Sequence, residues 1–320
     1  MLDITANTSL YDIQRLPLWE NGEQVLERTV AGEGNMNLVL RIKTTRRSVI
    51  LKQSKAYVRK YPQIPAPIER LEAEKSILEA ISDQKSVASF SPKVLHYNAE
   101  NYLMLLEDLG SGSDFLDIYA GNKLISPEQL SILVDYLVGI HAMDSVKIPA
   151  SKAMRALNHQ HIFHLPFLAD NGFNLDGIQV GLQALSKSYT SDERLTEQVA
   201  YLGKRYLEEE DTLIHGDFYP GSWLKIGSNL KVIDPEFGGM GDAAFDLGVF
   251  LAHLDLAKQP PGYASLVLER YTLPVDPKLV QGYRGVEILR RILGLAQLPL
   301  ALSLEEKSRL LSQAKTLVLS

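Results

Sequence analysis

The first third of the chain alternates short apolar runs with turn signals. Residues 25–30, 37–43 and 48–53 are rich in Val, Ile and Leu, and AGEG (31–34) and TTRR (44–47) separate them. Apolar runs bounded by such turns predict strands. Residues 67–82, PIERLEAEKSILEAIS, place Leu71, Glu74 and Leu78 on adjacent turns and predict a helix. Residues 93–96 and 102–107 predict two more strands. The expected unit is a small antiparallel sheet with one helix.

After Leu109 the pattern changes. GSGSD (110–114) reads as a linker-like bend, and helical periodicity dominates beyond it. Ser126, Pro127 and Gln129 supply an N-cap, a first-turn proline and a capping-box partner. Leu130, Leu133, Val134, Leu137 and His141 follow on one face, with His141 read as a core or helix-end residue. Residues 192–210, 242–257, 277–293 and 303–317 predict further helices, the last opened by a Ser303–Glu306 capping box. The expected fold is α+β and bilobal. A sheet-rich N-terminal lobe over residues 1–109 precedes a larger, mainly helical lobe over 110–320, and a cleft between lobes is a natural ligand site.

Composition narrows the function. The 320 residues contain no cysteine, which removes disulfides, thiol catalysis and thiolate metal sites together. A net charge of −6 makes nucleic acid a poor partner. The N-terminus, MLDITANTSLYDIQ, carries acidic and polar residues where a signal peptide needs a basic start and an apolar run. No stretch approaches the ~20 apolar residues that span a bilayer. The expectation is a cytoplasmic protein with no membrane partner.

The densest chemistry lies in residues 213–237, LIHGDFYPGSWLKIGSNLKVIDPEF. Residues 223–226 and 230–233 predict a hairpin with a three-residue loop, Gly227, Ser228 and Asn229. That register sets Ser222 opposite Asp234 and brings Asp217 and the pair Asp234 and Glu236 to one mouth. Asp, Gly and Pro favour turns for local reasons, and a turn role suffices for any one of these residues. The whole string suits phosphoryl transfer. Such chemistry needs a carboxylate that accepts or orients the nucleophile's proton, and carboxylates that hold Mg2+ against phosphate oxygens. Asp217 fits the first role; Asp234 and Glu236 fit the second.

The same residues carry a family resemblance. His215-Gly216-Asp217, then Gly221-Ser222, then Val232 to Phe237 resemble HGDxxxGS followed by VIDPEF, the hallmark of the methylthioribose kinases. These belong to the aminoglycoside phosphotransferase and choline kinase superfamily, which shares the protein-kinase-like fold. Most of that superfamily places a metal-binding Asn where Ser222 stands; the second acid, Glu236, can replace it. Asp246 matches the family's aspartate that braces the catalytic loop, and Asp242 reads as a helix cap.

On the nucleotide side, Gly32, Gly34, Asn35 and Asn37 resemble the family's glycine loop, and Lys52 its strand-three lysine. Glycine backbone can approach phosphates closely. A Glu on the following helix is expected to pair with that lysine. Glu72 and Glu74 lie about 200° apart on a helix, so only one can face the sheet; the resemblance favours Glu72. YLMLLEDL (102–109) resembles the hinge strand, with adenine bonding backbone groups around Glu107 to Leu109.

On the acceptor side, Arg290 and Arg291 match an arginine pair that holds substrate in the family. Consecutive helical residues point ~100° apart, so at most one should aim straight into a pocket. KYPQIPAP (60–67) departs from the family, whose tryptophan-bearing loop closes over the sugar. His159, His161 and His164 read as a loop or pocket wall, their spacing being a weak zinc signal. Trp223 reads as packing.

The sequence thus points to an ATP- and Mg2+-dependent kinase that phosphorylates a hydroxyl of a small, sugar-like molecule, with methylthioribose the nearest guess. The alternatives are a kinase of an aminoglycoside, choline, fructosamine or homoserine-like alcohol, and a nucleotide-binding module without transfer activity.

Overall fold

The computed structural model describes residues 3–32, 34, 36–143, 148, 151–208 and 210–320. Its N-terminal part contains α1 (Leu10–Gln14), β1 (Val25–Val30), β2 (Leu38–Thr44), β3 (Ser48–Gln53), β4 (Tyr57–Val58), β5 (Tyr61–Pro65), α2 (Arg70–Asp83), β6 (Val94–Asn98) and β7 (Leu103–Glu107). Five strands form one antiparallel sheet in the order β1-β2-β3-β7-β6. Side chains alternate across a strand, so each strand has two faces. Leu38, Leu40, Ile42, Val49, Leu51, Leu103 and Leu105 pack with Ile4, Ile13, Leu16 and Leu18 of the N-terminal segment. On the opposite face, Ile50, Met104 and Leu106 meet Leu71 and Leu78 of α2. Lys52 shares parity with Ile50, so the strand itself directs it toward α2.

The C-terminal part contains β8 (Ser113–Asp114), α3 (Pro127–His141), α4 (Lys152–His159), α5 (Leu182–Thr190), α6 (Glu193–Leu207), β9 (Thr212–Ile214), β10 (Trp223–Ile226), β11 (Asn229–Val232), β12 (Gly239–Gly241), α7 (Ala243–Leu256), α8 (Gly262–Arg270), α9 (Pro277–Leu293) and α10 (Leu304–Leu319). Both expected capping boxes are present, at Ser126–Gln129 and Ser303–Glu306. α7 buries every residue but Asp255 and forms the axis of this part. A helix buried on every side has to be enclosed, and α3, α8 and α9 pack against it or one another. Among the described residues, no helix is long and apolar enough to cross a membrane.

Several local expectations need correction. The catalytic-side hairpin pairs Ile226 with Asn229 and Trp223 with Val232, so its loop has two residues, Gly227 and Ser228, not three. Gly227 sits at φ 59°, the left-handed geometry that tight hairpin turns require. Ser222 therefore lies opposite Ile233, whose amide donates to the Ser222 carbonyl at 2.9 Å. The GSGSD stretch is not a free linker: β8 pairs with β10, Ser113 opposite Lys225 and Asp114 opposite Leu224. β4, β5, α1, α4, α5 and α8 were not anticipated. The three histidines lie on α4 and a wider helical turn at Gln160–His164 rather than on a loop, and His159 stacks on Phe163. Trp223 is fully buried among Phe115, Phe218 and Phe250.

At Gly248, α7 and α9 come into close backbone contact. A Cβ there would lie 2.6 Å from the Tyr283 Cβ, 2.8 Å from the Arg284 nitrogen and 2.9 Å from the Val280 carbonyl oxygen. Backbone cannot swing aside as a side chain can. Gly248→Leu is expected to destabilise the protein by about 1–3 kcal/mol or more, the range for overpacked cores. A lower urea midpoint measures it; an unchanged midpoint contradicts the packing described.

Candidate active site

Lys52 is the hub of the first charged cluster. Its ammonium donates to Glu74 at 2.6 Å and also pairs with Asp234, which arrives from the C-terminal part. The expectation that Glu72 faces Lys52 is corrected. Leu71, Glu74 and Leu78 form the buried stripe of α2, whereas Glu72 is exposed and accepts from the Tyr97 hydroxyl at 3.2 Å. The apolar spacing around Glu74 carried that signal.

Glu74, Asp234 and Glu236 bring carboxylate oxygens within 4.8 Å of one another. Glu74 and Glu236 are almost fully buried, while the Asp234 side chain is 44% exposed. Burial pushes both glutamates above the usual carboxylate range, and Asp234 pushes further in the same direction. Burial pulls the Lys52 ammonium down, but Asp234, Glu74 and Glu236 outweigh it and hold it above the usual lysine range. Asp234 itself sits at φ 68°, a left-handed conformation uncommon for a residue with a Cβ.

Arg70, absent from the sequence reading, ties this cluster to the glycine loop. Fully buried, it donates to the Asn37 Oδ1 at 2.9 Å and to the carbonyls of Met36, Lys55 and Pro67 at 3.0, 2.7 and 2.7 Å. The Asn37 amide in turn donates to Glu236, and Arg70 lies 3.7 Å from the same oxygen. Arg70 falls four residues before Glu74 on the buried stripe of α2, a placement that could have found it. Gly34 fits because a Cβ would meet the Asn37 carbonyl at 2.6 Å, and its own carbonyl accepts from Arg59 at 3.0 Å. Gly32 is exposed with open space around it. Asn35 lies outside the described residues.

At the end of β7, the Glu107 amide donates to the Lys93 carbonyl at 2.9 Å, so this amide is already engaged. Asp108 takes both arms of Arg41 at 2.8 and 2.9 Å, together with the Ser48 hydroxyl. Leu109 follows, half-buried.

The second carboxylate centre is Asp217. Its loop is held by Asp246 on α7, which accepts the amides of His215 at 2.6 Å and Gly216 at 3.0 Å. His141 on α3 backs Asp246 at 3.2 Å and meets the Tyr271 hydroxyl at 2.8 Å. Gly216 has φ 81°, and a Cβ would lie 2.2 Å from the Phe237 carbonyl oxygen. Glycine there lets the HGD and DPEF segments touch. The Ser222 hydroxyl, 2% exposed as a residue, donates to the Asp217 carbonyl at 3.0 Å and so braces the loop.

Arg291 lies 3.3 Å and Arg290 3.8 Å from the Asp217 carboxylate. The expectation that only one arginine could face this pocket is corrected. Glu287, three and four residues earlier, accepts from both Nε atoms and draws the two side chains together. An acid at that spacing before an arginine pair is a readable signal. Burial raises the Asp217 carboxyl, while Arg291 and Arg290 pull it back down. Arg291 also stacks over Tyr219, 5.0 Å from the ring centre.

A two-part fold of this kind is shared with known kinases. The choline kinase LicA from Streptococcus pneumoniae superposes with a TM-score of 0.54 at 17% identity, over 92% of this chain and 93% of that one. Residues 27–286 match the model of the phosphotransferase enzyme family, and the chain belongs to that family. Methylthioribose kinase of Exiguobacterium sibiricum is 30% identical over 256 residues, 75% of this chain. Methylthioribose kinase of Geobacillus kaustophilus is 27% identical over an alignment of 356 positions that covers 91% of this chain and 87% of the relative. The match spans 63% of the first relative's length, less than two thirds.

His253 gives a pH test of this centre. Burial holds its imidazole down at about 4, against the pull of Glu287. Unfolded histidine titrates near 6.5, so between about pH 6.5 and 4 the unfolded chain binds the extra proton and stability falls as pH falls. The loss is on the order of 3 kcal/mol at 1.36 kcal/mol per pKa unit. His253→Gln is expected to flatten that part of the stability profile, measured by urea denaturation at stepped pH.

Proposed function

We propose that the protein is an ATP- and Mg2+-dependent small-molecule kinase, cytoplasmic, transferring the γ-phosphoryl group to a hydroxyl of a sugar-like metabolite. Residues 1–109 serve as its nucleotide-binding lobe and residues 110–320 as its catalytic and acceptor-binding lobe. The observation that carries the reading is the reach of Asp234 across the two parts to Lys52 and Glu74. That meeting supplies a cation for phosphates beside carboxylates for a metal.

Gly32 and Gly34 would cover the nucleotide phosphates, and the backbone around Glu107 and Leu109 would face the adenine. Lys52, held by Glu74, contacts the phosphates. The crowded carboxylates fit a magnesium ion: the donors are hard oxygens, and one oxygen from each of three acids lies within 4.8 Å of the others. Asp234 and Glu236 would hold it. Magnesium supplies charge neutralisation of the phosphate oxygens when bound. Asp217 accepts the proton of the acceptor hydroxyl as its oxygen bonds to the γ-phosphorus and the bond to the β-phosphate oxygen breaks, releasing ADP.

Arg290 and Arg291 beside Asp217 favour an acceptor rich in hydroxyls or negative charge, since planar guanidinium donors bind both. They oppose a cationic acceptor such as choline or an aminoglycoside. With relatives named methylthioribose kinase, methylthioribose is the first acceptor to try.

Asp217→Asn is expected to lower kcat by roughly 10²–10⁴, the range for a positioned general base, with little change in MgATP affinity. Coupled ADP release with a panel of hydroxyl metabolites measures this. Undiminished transfer by the variant contradicts the assignment. Because burial raises Asp217, the acid limb of kcat/KM is expected above the ordinary aspartate range, activity falling as pH drops through it.

A further inference from the structure

Glu287 is a buried carboxylate that the reaction above leaves without a role. It lies on α9 at 1% exposure. Its Oε2 accepts from the Arg290 Nε at 2.6 Å and its Oε1 from the Arg291 Nε at 2.7 Å. From α7, the His253 Nε2 stands 3.0 Å from the same Oε1, and the Tyr119 hydroxyl lies 2.6 Å from the His253 Nδ1. A neutral ring satisfies both contacts in one tautomer, Nε2–H donating to Glu287 and Nδ1 accepting from Tyr119.

The geometry divides each guanidinium between two carboxylates. With Nε committed to Glu287, the terminal Nη2 groups of Arg291 and Arg290 converge on the Asp217 Oδ1 at 3.3 and 3.8 Å. Both contacts are longer than the Nε contacts to Glu287. Two guanidiniums without Glu287 would close on Asp217 as their only acid, in the bidentate form arginine favours. A carboxylate locked that way is a poor proton acceptor, and its arginines are no longer available to an acceptor molecule.

We propose that Glu287 is a positioning residue that shares the arginine pair with Asp217, keeping both guanidiniums at the acceptor end while leaving Asp217 free to take a proton. His253 and Tyr119 hold Glu287 in that orientation. The inference rests on the reading of Asp217 as the proton acceptor. The titratable groups facing Asp217 are Arg290, Arg291 and Glu287 from α9, His215 and Tyr219 from its own segment, and Tyr119. Of these, Glu287 is the acid, and removing its charge lowers the Asp217 midpoint.

Two variants separate positioning from simple packing. Glu287→Gln keeps size and removes charge; Glu287→Asp keeps charge and shortens reach. In the full chain, Glu287→Gln should lower kcat about tenfold or more, the scale for loss of charge-assisted hydrogen bonds, with MgATP affinity unchanged as a check of the fold. Glu287→Asp should recover part of the loss. Carboxyl 13C NMR of the protein without substrates, with the Asp217 signal assigned by Asp217→Asn, should show its midpoint moving down in Glu287→Gln. An unchanged kcat and midpoint overturn the inference, as do equal losses in both variants with an unmoved midpoint. Transfer abolished by Asp217→Asn but untouched by Glu287→Gln overturns the inference alone. Transfer intact in Asp217→Asn overturns the underlying reading and the inference with it.

Discussion

Buried negative charge has to be balanced, and in this protein the balance joins the two halves of the fold. Glu74 and Glu236 are withdrawn from water, and Asp234 stands beside them. Desolvation of that kind is costly unless cations and hydrogen bonds compensate. Lys52 from the sheet and Arg70 from α2 provide the compensation, with the Asn37 amide on Glu236. Every one of those donors belongs to the N-terminal part, and two of the three acids include the DPE segment of the other. The charge pattern thus holds the glycine loop, α2 and the DPE turn in one arrangement.

At the other end of the site the same physics runs with the charges evenly matched. Two guanidiniums are buried against Asp217 and Glu287, and Arg291 lies over the ring of Tyr219. One end therefore has three carboxylates against Lys52 and Arg70, and the other has two guanidiniums against two carboxylates. A polyphosphate with its metal suits the first; a polyhydroxyl or anionic molecule suits the second. Asp246 and the touching backbones at Gly216 and Phe237 fix how the two ends face each other.

Much of this was legible in sequence because period-two and helical patterns are local. Strands 25–30 and 48–53 and helix 277–293 have the observed bounds, and both capping boxes formed where their residues stood. The HGD and DPE strings announced their chemistry by residue type. What escaped depends on partners distant in the chain. The choice between Glu72 and Glu74 turns on which face α2 buries, and the stripe through Leu71 and Leu78 answers it better than resemblance did. The 100° rule for Arg290 and Arg291 ignored the length of the side chain, which lets one glutamate gather both. Arg70 was overlooked because an arginine at a helix start reads as solvated until its five donors are seen to be surrounded by carbonyls. The β4–β5 pairing was hidden by Pro62 and Pro65, which lower any strand expectation.

The stretch that looked like slack chain between the halves has a mechanical consequence. Arg41 grips Asp108 and the Gly110 carbonyl on one side, while β8 is stitched to β10 on the other. Gly112 is pressed so close to Ile226 and the Lys225 carbonyl that no larger residue fits without displacement. The Gly110 amide is tied to Asp108 as well, at 3.0 Å, so torsional slack is confined to the few bonds between Gly110, at φ 98°, and Gly112. The covalent connection is thus short and anchored at both ends, and a turn of one half against the other would load these few bonds like a short torsion spring.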